Sequence, residues 1–373
     1  MRQVNPDTSA PGPTGTSTYA GEVSSEPNSV PLSSSHTALA ARISGCLLGG
    51  ALGDALATGP DAVPLSISAN TALALYSLDG VQEAIEWAAS GVGADETACV
   101  WLAYLRWLRG RGVALPDTGL VPLPRPIDGE DLLRADTAMD ADPEVIAALS
   151  SGEMGTRQRP VNTQSPSPAA LVRSAPFGLL PYVPAETVYK LTLDAASLTH
   201  GHPAARHAAA VFAVTVHGLL SPGTTLRSAA EAALDRAASV PESDGGAPGL
   251  VARLRNIVAG AGAAGQEAVK EAGNDDDATA GDALAQGLAA ALAAEDRLAL
   301  QAAEAGPAAG AVSDELSRAL RAAAAAGPAA AVVTGSLLGT LYGELPGGLL
   351  DRLRERAAVE RLAGAFTAAT ITA

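Results

Sequence analysis

Residues 43–57 read Ile43-Ser44-Gly45-Cys46-Leu47-Leu48-Gly49-Gly50-Ala51-Leu52-Gly53-Asp54-Ala55-Leu56-Ala57. Gly45, Gly49 and Gly53 recur every fourth residue in an otherwise apolar run, so on an α-helix they lie along one face. Glycine in a helix interior costs about 1 kcal/mol relative to alanine. Three in register make sense only where another backbone comes so close that a Cβ would collide. The spacing predicts a tight helix–helix contact, with Gly53-Asp54 delivering a carboxylate at its edge.

The composition around this stretch is helical. Of 373 residues, 47% are hydrophobic but only 3% aromatic, and alanine carries much of the apolar count. β-Branched and aromatic runs are scarce, which predicts an all-α fold. Lysine occurs only at Lys190 and Lys270, so nearly all 24 basic residues are arginine. That bias, with the alanine enrichment, points to a GC-rich genome. The net charge of −16 argues against a nucleic-acid partner, which needs basic surface. No run reaches the ~18 uninterrupted apolar residues of a membrane span, so no membrane partner is expected. Cys46 and Cys99 sit in apolar helical patterns and read as buried reduced thiols rather than a disulfide or a nucleophile.

Residues 1–37 are rich in Pro, Ser, Thr, Gly and Asn and lack the basic-then-apolar order of a signal peptide. They read as a disordered tail ahead of a single helical domain over 38–373, and the expected compartment is the cytoplasm. Periodicity predicts helices near 38–57, 70–89, 95–110, 185–198, 203–220, 224–238, 248–271, 279–293, 312–325, 328–342 and 346–370. Asp95 offers an N-cap oxygen to the third of these, and Arg106, Arg109 and Arg111 suit its C-terminal dipole. Residues 111–184 are proline-rich and read as a long ordered connection with short helices near 129–135 and 143–150. Asp275-Asp276-Asp277 fits no EF-hand register and reads as a solvated acidic loop.

Five ordered blocks carry a resemblance: Gly45–Ala57, Ile67–Trp87, Asp95–Trp107, Arg173–Gly178 with Leu198–Pro203, and Gly335–Gly343. Together they resemble the ADP-ribosylglycohydrolase family, whose opening helix reads close to GxLLGxAxGDALG. The resemblance implies an orthogonal all-α bundle, hydrolysis of the bond between ADP-ribose and a protein or small molecule, and two magnesium or manganese ions held by hard oxygen ligands. It also exposes departures. Where the family has Ser/Thr-Asp-Asp-Thr, this chain has Ser68-Ala69-Asn70-Thr71. The second ligand motif falls on Ala326, Pro328 and Ala330, and no carboxylate or hydroxyl lies between Ala322 and Val333. Asp61 stands where the family has a glutamate on a covering loop, and that loop is short here. A glycine-rich loop is replaced by Ser165-Pro166-Ser167-Pro168, with Arg173 and Pro176 retained.

Thr199-His200-Gly201-His202-Pro203 is intact. Three readings stand for it: a structural turn, residual ligand binding, or a metal site with no third ligand evident. The resemblance places substrate contacts at Asn70, Thr71, Ser165, Arg173, His200 and His202. It leaves Asp61, Asp54, His200 and His202 as vestigial acid–base candidates, with Asp54 reading foremost as a capping or helix-contact residue. No metal ligand is assigned and no cofactor is expected, since the ligands of the family's two ions are missing. The leading expectation is a pseudoenzyme whose partners are ADP-ribose, an ADP-ribosylated protein or a paralogous hydrolase. The alternatives are a metal-independent hydrolase and a purely structural or interaction protein.

Overall fold

The computed structural model describes residues 34–115, 121–132, 141–260, 279–306 and 310–372. The aspartate run at 275–277, and the first 33 residues of the expected tail, lie outside them. Ser34–Thr37, assigned to the tail by composition, instead form the first turn of helix α1 (Ser34–Thr58). Among the described residues there are fifteen α-helices and no strand.

The core is built on α1 and α13 (Pro328–Tyr342), both apolar nearly all round. A Cβ on Gly45 would stand 2.2 Å from the Gly339 carbonyl oxygen, on Gly49 2.1 Å from that of Gly335, and on Gly53 2.1 Å from that of Ala331. The fit is reciprocal, because a Cβ on Gly335 or Gly339 would stand 2.0 Å from the Gly49 or Gly45 carbonyl oxygen. The predicted backbone-close contact is therefore α1 against α13, glycine on glycine. α1 is long and apolar enough to pass for a membrane span, yet 72% of its most apolar window is buried in the protein. It is a core helix.

Around this pair pack α11 (Ala280–Ala305), α12 (Ala311–Ala326) and α15 (Arg356–Thr372). α2 (Ala69–Ala89) lies along α3 (Glu96–Gly110); α7 (Ala185–Ser197) and α9 (Leu226–Ala238) flank α8 (Pro203–Leu219); α10 (Pro248–Ala259) follows α9. In the proline-rich connection, α4 spans Pro143–Ser150 as predicted. Of the short helix expected near 129–135, residues 133–135 lie outside the described ones; ahead of them a 3-10 turn spans Pro126–Gly129. Two four-residue helices, α5 (Ala169–Val172) and α6 (Ala175–Gly178), complete that segment.

Two further differences have physical causes. α11 runs to Ala305, beyond the expected end near 293, because its charges there are accommodated: Asp296 is exposed, Glu295 accepts from the Leu226 amide at 2.8 Å, and Arg297 donates to the buried Glu315 at 2.7 Å. The expected helix over 346–370 is split into α14 (Gly347–Leu350) and α15. The intervening backbone bonds elsewhere: the Leu65 amide donates to Arg352 O at 2.8 Å, and the Arg354 amide donates to Leu65 O at 3.0 Å. That pairing draws off groups a continuous helix would have used internally.

Both cysteines are free and buried, as expected. Burial pushes the Cys46 thiol up to about 12 and the Cys99 thiol up to about 11. Arg106 does not serve the α3 dipole. It is buried and ion-paired with the buried Asp79 of α2, which Arg125 also contacts at 2.9 Å.

Candidate functional site

Several helix starts converge on one cavity of about 260 Å³. α2 contributes Asn70, α4 its N-cap Asp142, α5 Pro168 and Ala169, and α13 Gly327, Pro328, Ala329 and Ala330. Asp54, Ser167, Gln286 and Ala326 complete the polar and small-residue parts of the wall. The start of α2 and the α12–α13 turn thus do meet, where the sequence comparison places the two ligand motifs. Aligned helix N-termini favour negative charge there. The wall itself carries two carboxylates, Asp54 and Asp142.

Asp54 is buried and its Oδ2 accepts from the Ser68 amide at 2.7 Å. It ties the end of α1 to the start of α2, in keeping with a helix-contact role. Asp61 lies exposed in the turn between α1 and α2 and is not part of the cavity wall. Arg352 fastens that turn, donating to Pro60 O at 3.2 Å and Ala62 O at 2.9 Å. Thr71 is buried beside Asn70 but outside the wall, and its hydroxyl has no hydrogen-bond partner among the described residues. Arg173 is fully buried. Its nitrogens donate to Tyr104 OH at 3.0 Å, Ala169 O at 3.1 Å and Thr199 Oγ1. Its guanidinium braces the interior. His202 is the half-buried N-cap of α8, with no hydrogen bond at Nδ1 among the described residues and no share in the wall.

His200 stands apart from these. It is completely buried, with Nδ1 2.9 Å from Thr199 Oγ1. Nε2 faces Glu144 Oε2 at 3.4 Å and Asp142 Oδ2 at 3.8 Å. Both distances exceed the 2.7–3.2 Å usual for an N–H···O bond, and Nε2 has no hydrogen-bond partner among the described residues. Burial, reinforced by the nearby Arg173 charge and opposed by Asp142, holds the imidazole well below its ordinary range. The ring is neutral, so these contacts are not ion pairs. The carboxylates are positioned by donors: Asp142 Oδ1 accepts from the Glu144 amide at 2.8 Å, Asp142 Oδ2 from Ser167 Oγ at 2.6 Å, and Glu144 Oε2 from Ser165 Oγ.

Asp142, Glu144 and His200 form a group able to hold a metal ion, their ligand atoms all within 4.8 Å of one another. The expectation that no metal site exists is therefore not supported. The sequence pointed to His200 but not to its companions, which come from a helix start 56 and 58 residues upstream. The one signal for them was Asp142-Pro143-Glu144, an N-cap with proline at the first helical position. His207 and His217 of α8 stay outside the group; His207 bonds Tyr189 OH and Gly245 O.

Fold and site together define an all-α bundle protein with a small crevice at converging helix starts. The sequence profile of the ADP-ribosylglycohydrolase family matches residues 35–373, and the chain belongs to that family. Among solved structures it is similar to a chain described as "ADP-ribosylglycohydrolase-related protein complex". That likeness has 21% identity and a TM-score of 0.53, covering 90% of this chain and 99% of the other. It bears on the fold alone. No curated protein sequence matches this chain.

Proposed function

We propose that this chain is a family member that has given up two-metal hydrolysis and works by binding or regulation. Its partner would be ADP-ribose, an ADP-ribosylated protein or a paralogous hydrolase. One observation carries this reading: the wall of the crevice at the two ligand-motif positions is Asn70, Ala326, Pro328 and Ala330, without a carboxylate among them. Of the two carboxylates elsewhere in the wall, Asp54 has already committed one oxygen to the Ser68 amide. A pair of hard dications needs several free anionic oxygens. The residues present do not fit that pair, and no hydrolytic step is derived through it.

The crevice favours a binder over a filled-in scaffold. Pro168, Ala326 and Pro328 line its space rather than occupy it. At about 260 Å³ it lies just under the 300–1,000 Å³ of pockets that enclose drug-sized molecules, so it suits part of a nucleotide sugar. The metal-independent alternative finds less support, since Asp61 and His202 stand outside the wall that contains Asp54.

The test is incubation of the purified chain with ADP-ribosylated protein and magnesium or manganese. The expected result is no ADP-ribose release above the protein-free rate. Turnover at the rate of an active family member overturns the proposal. Calorimetry with ADP-ribose, with and without magnesium, should then show binding that is independent of magnesium.

A further inference from the structure

Beyond the family's two-ion centre, we propose that Asp142, Glu144 and His200 bind a single transition-metal dication, zinc foremost. One atom among them is unsatisfied. His200 is completely buried, and Nε2 points into a space bounded by two carboxylate oxygens without bonding either. A buried ring nitrogen left unpaired is costly and calls for a ligand.

The geometry says which kind. Metal–ligand bonds of about 2.1 Å at tetrahedral angles place ligand atoms about 3.4 Å apart. Nε2 lies 3.4 Å from Glu144 Oε2 and 3.8 Å from Asp142 Oδ2. These two spacings are too long for hydrogen bonds and near the edge of a coordination tetrahedron, and all three ligand atoms lie within 4.8 Å of one another. One imidazole with two carboxylates is a mixed nitrogen–oxygen set, suited to zinc and its first-row neighbours more than to magnesium or calcium, which prefer oxygen alone.

The surrounding residues orient each ligand as the outer contacts of metal sites do. Ser165 and Ser167 donate hydroxyl protons to the two carboxylates. Asp142 is further locked by the Glu144 amide. Nδ1 of His200 meets Thr199 Oγ1, itself held by Arg173. Donation of Nδ1–H to that oxygen leaves the Nε2 lone pair for the metal. Asp142 and Ser167 also line the crevice, so a fourth coordination position would face it.

The site is tested on the full-length protein, stripped with a chelator and dialysed against zinc, with bound metal counted by elemental analysis. Cobalt(II) serves as the spectroscopic probe. The expected result is one zinc per chain, a cobalt spectrum of four-coordinate type, and no displacement by equimolar magnesium. Glu144→Gln and Asp142→Asn keep the shape and one accepting oxygen each, and each should weaken zinc at least tenfold. The surface variant Asp235→Asn should bind as the unaltered chain does. Absence of stoichiometric zinc, displacement by magnesium, or unchanged binding in both carboxamide variants overturns the proposal. None of these readouts depends on whether the chain hydrolyses anything.

Discussion

At the scale of single residues, the glycines of α1 show how one missing atom decides packing. A methyl group on Gly49 would sit 2.1 Å from a backbone oxygen, and α13 cannot yield there because Gly335 and Gly339 are equally confined. Gly49→Ala should therefore destabilise the protein by about 3 kcal/mol or more, since overpacking moves backbone and not merely a side chain. Gly364 is the control: it lies in α15, exposed, with no atom within 4 Å of where a methyl group would stand. Gly364→Ala should raise stability by about 0.5–1 kcal/mol through helix propensity alone. Urea denaturation of the two variants measures both signs, and a mild effect at Gly49 would count against the backbone-contact account. Cys46 illustrates the same scale for chemistry. Its thiol, pushed up to about 12 by burial, should resist alkylation until the protein is unfolded.

At the scale of elements, the α2–α3 pair is joined by charge as well as by apolar contact. Asp79 is buried, and burial raises its carboxyl pKa while Arg125 and Arg106 oppose that rise. Removing the carboxylate leaves the Arg106 guanidinium buried beside only the longer contacts to Glu83 and Asp128, each at 3.5 Å. Asp79→Ala should cost about 3–5 kcal/mol. The double variant Asp79→Leu/Arg106→Met should recover most of that loss, because neither member of the buried pair is left without the other. A double-mutant cycle read by urea denaturation decides it, and additive losses would sink the idea. Read locally, Arg106 takes a dipole role, because nearness to the α3 end is all that its own segment reveals. Its real partner lies 27 residues away. The Asp95 cap, by contrast, was readable: Asp95 Oδ1 accepts from the Ala98 amide at 2.9 Å, within the same turn.

For the whole molecule, pH acts through buried imidazoles. Burial pulls the His207 pKa down to about 4, with the neighbouring Arg206 charge adding to that and the Gly245 carbonyl opposing it. The unfolded chain accepts a proton near pH 6.5, whereas the folded protein refuses it until about pH 4. The contribution is thus complete above about pH 6.5, is lost as pH falls, and levels off below about 4. The slope from this one residue is about 1.4 kcal/mol per pH unit. Melting temperatures taken from pH 7 to 4.5 should fall more steeply for the unaltered chain than for His207→Gln. Parallel curves would remove His207 from the account.

The sequence by itself determined the helical class, most helix positions, the glycine face of α1 and the uncharged side chains at Ala69, Asn70, Ala326 and Pro328. Each follows from local periodicity, capping or the chemistry of a single side chain. Tertiary structure alone decided what those faces meet. It set α13 as the partner of α1, broke the last helix at the Leu65 pairing, and paired Arg106 with Asp79. It also left Asp61 exposed and outside the crevice, and brought Asp142 and Glu144 against His200. Such juxtapositions come from packing between segments tens to hundreds of residues apart, and no local pattern encodes which buried nitrogen will face which carboxylate.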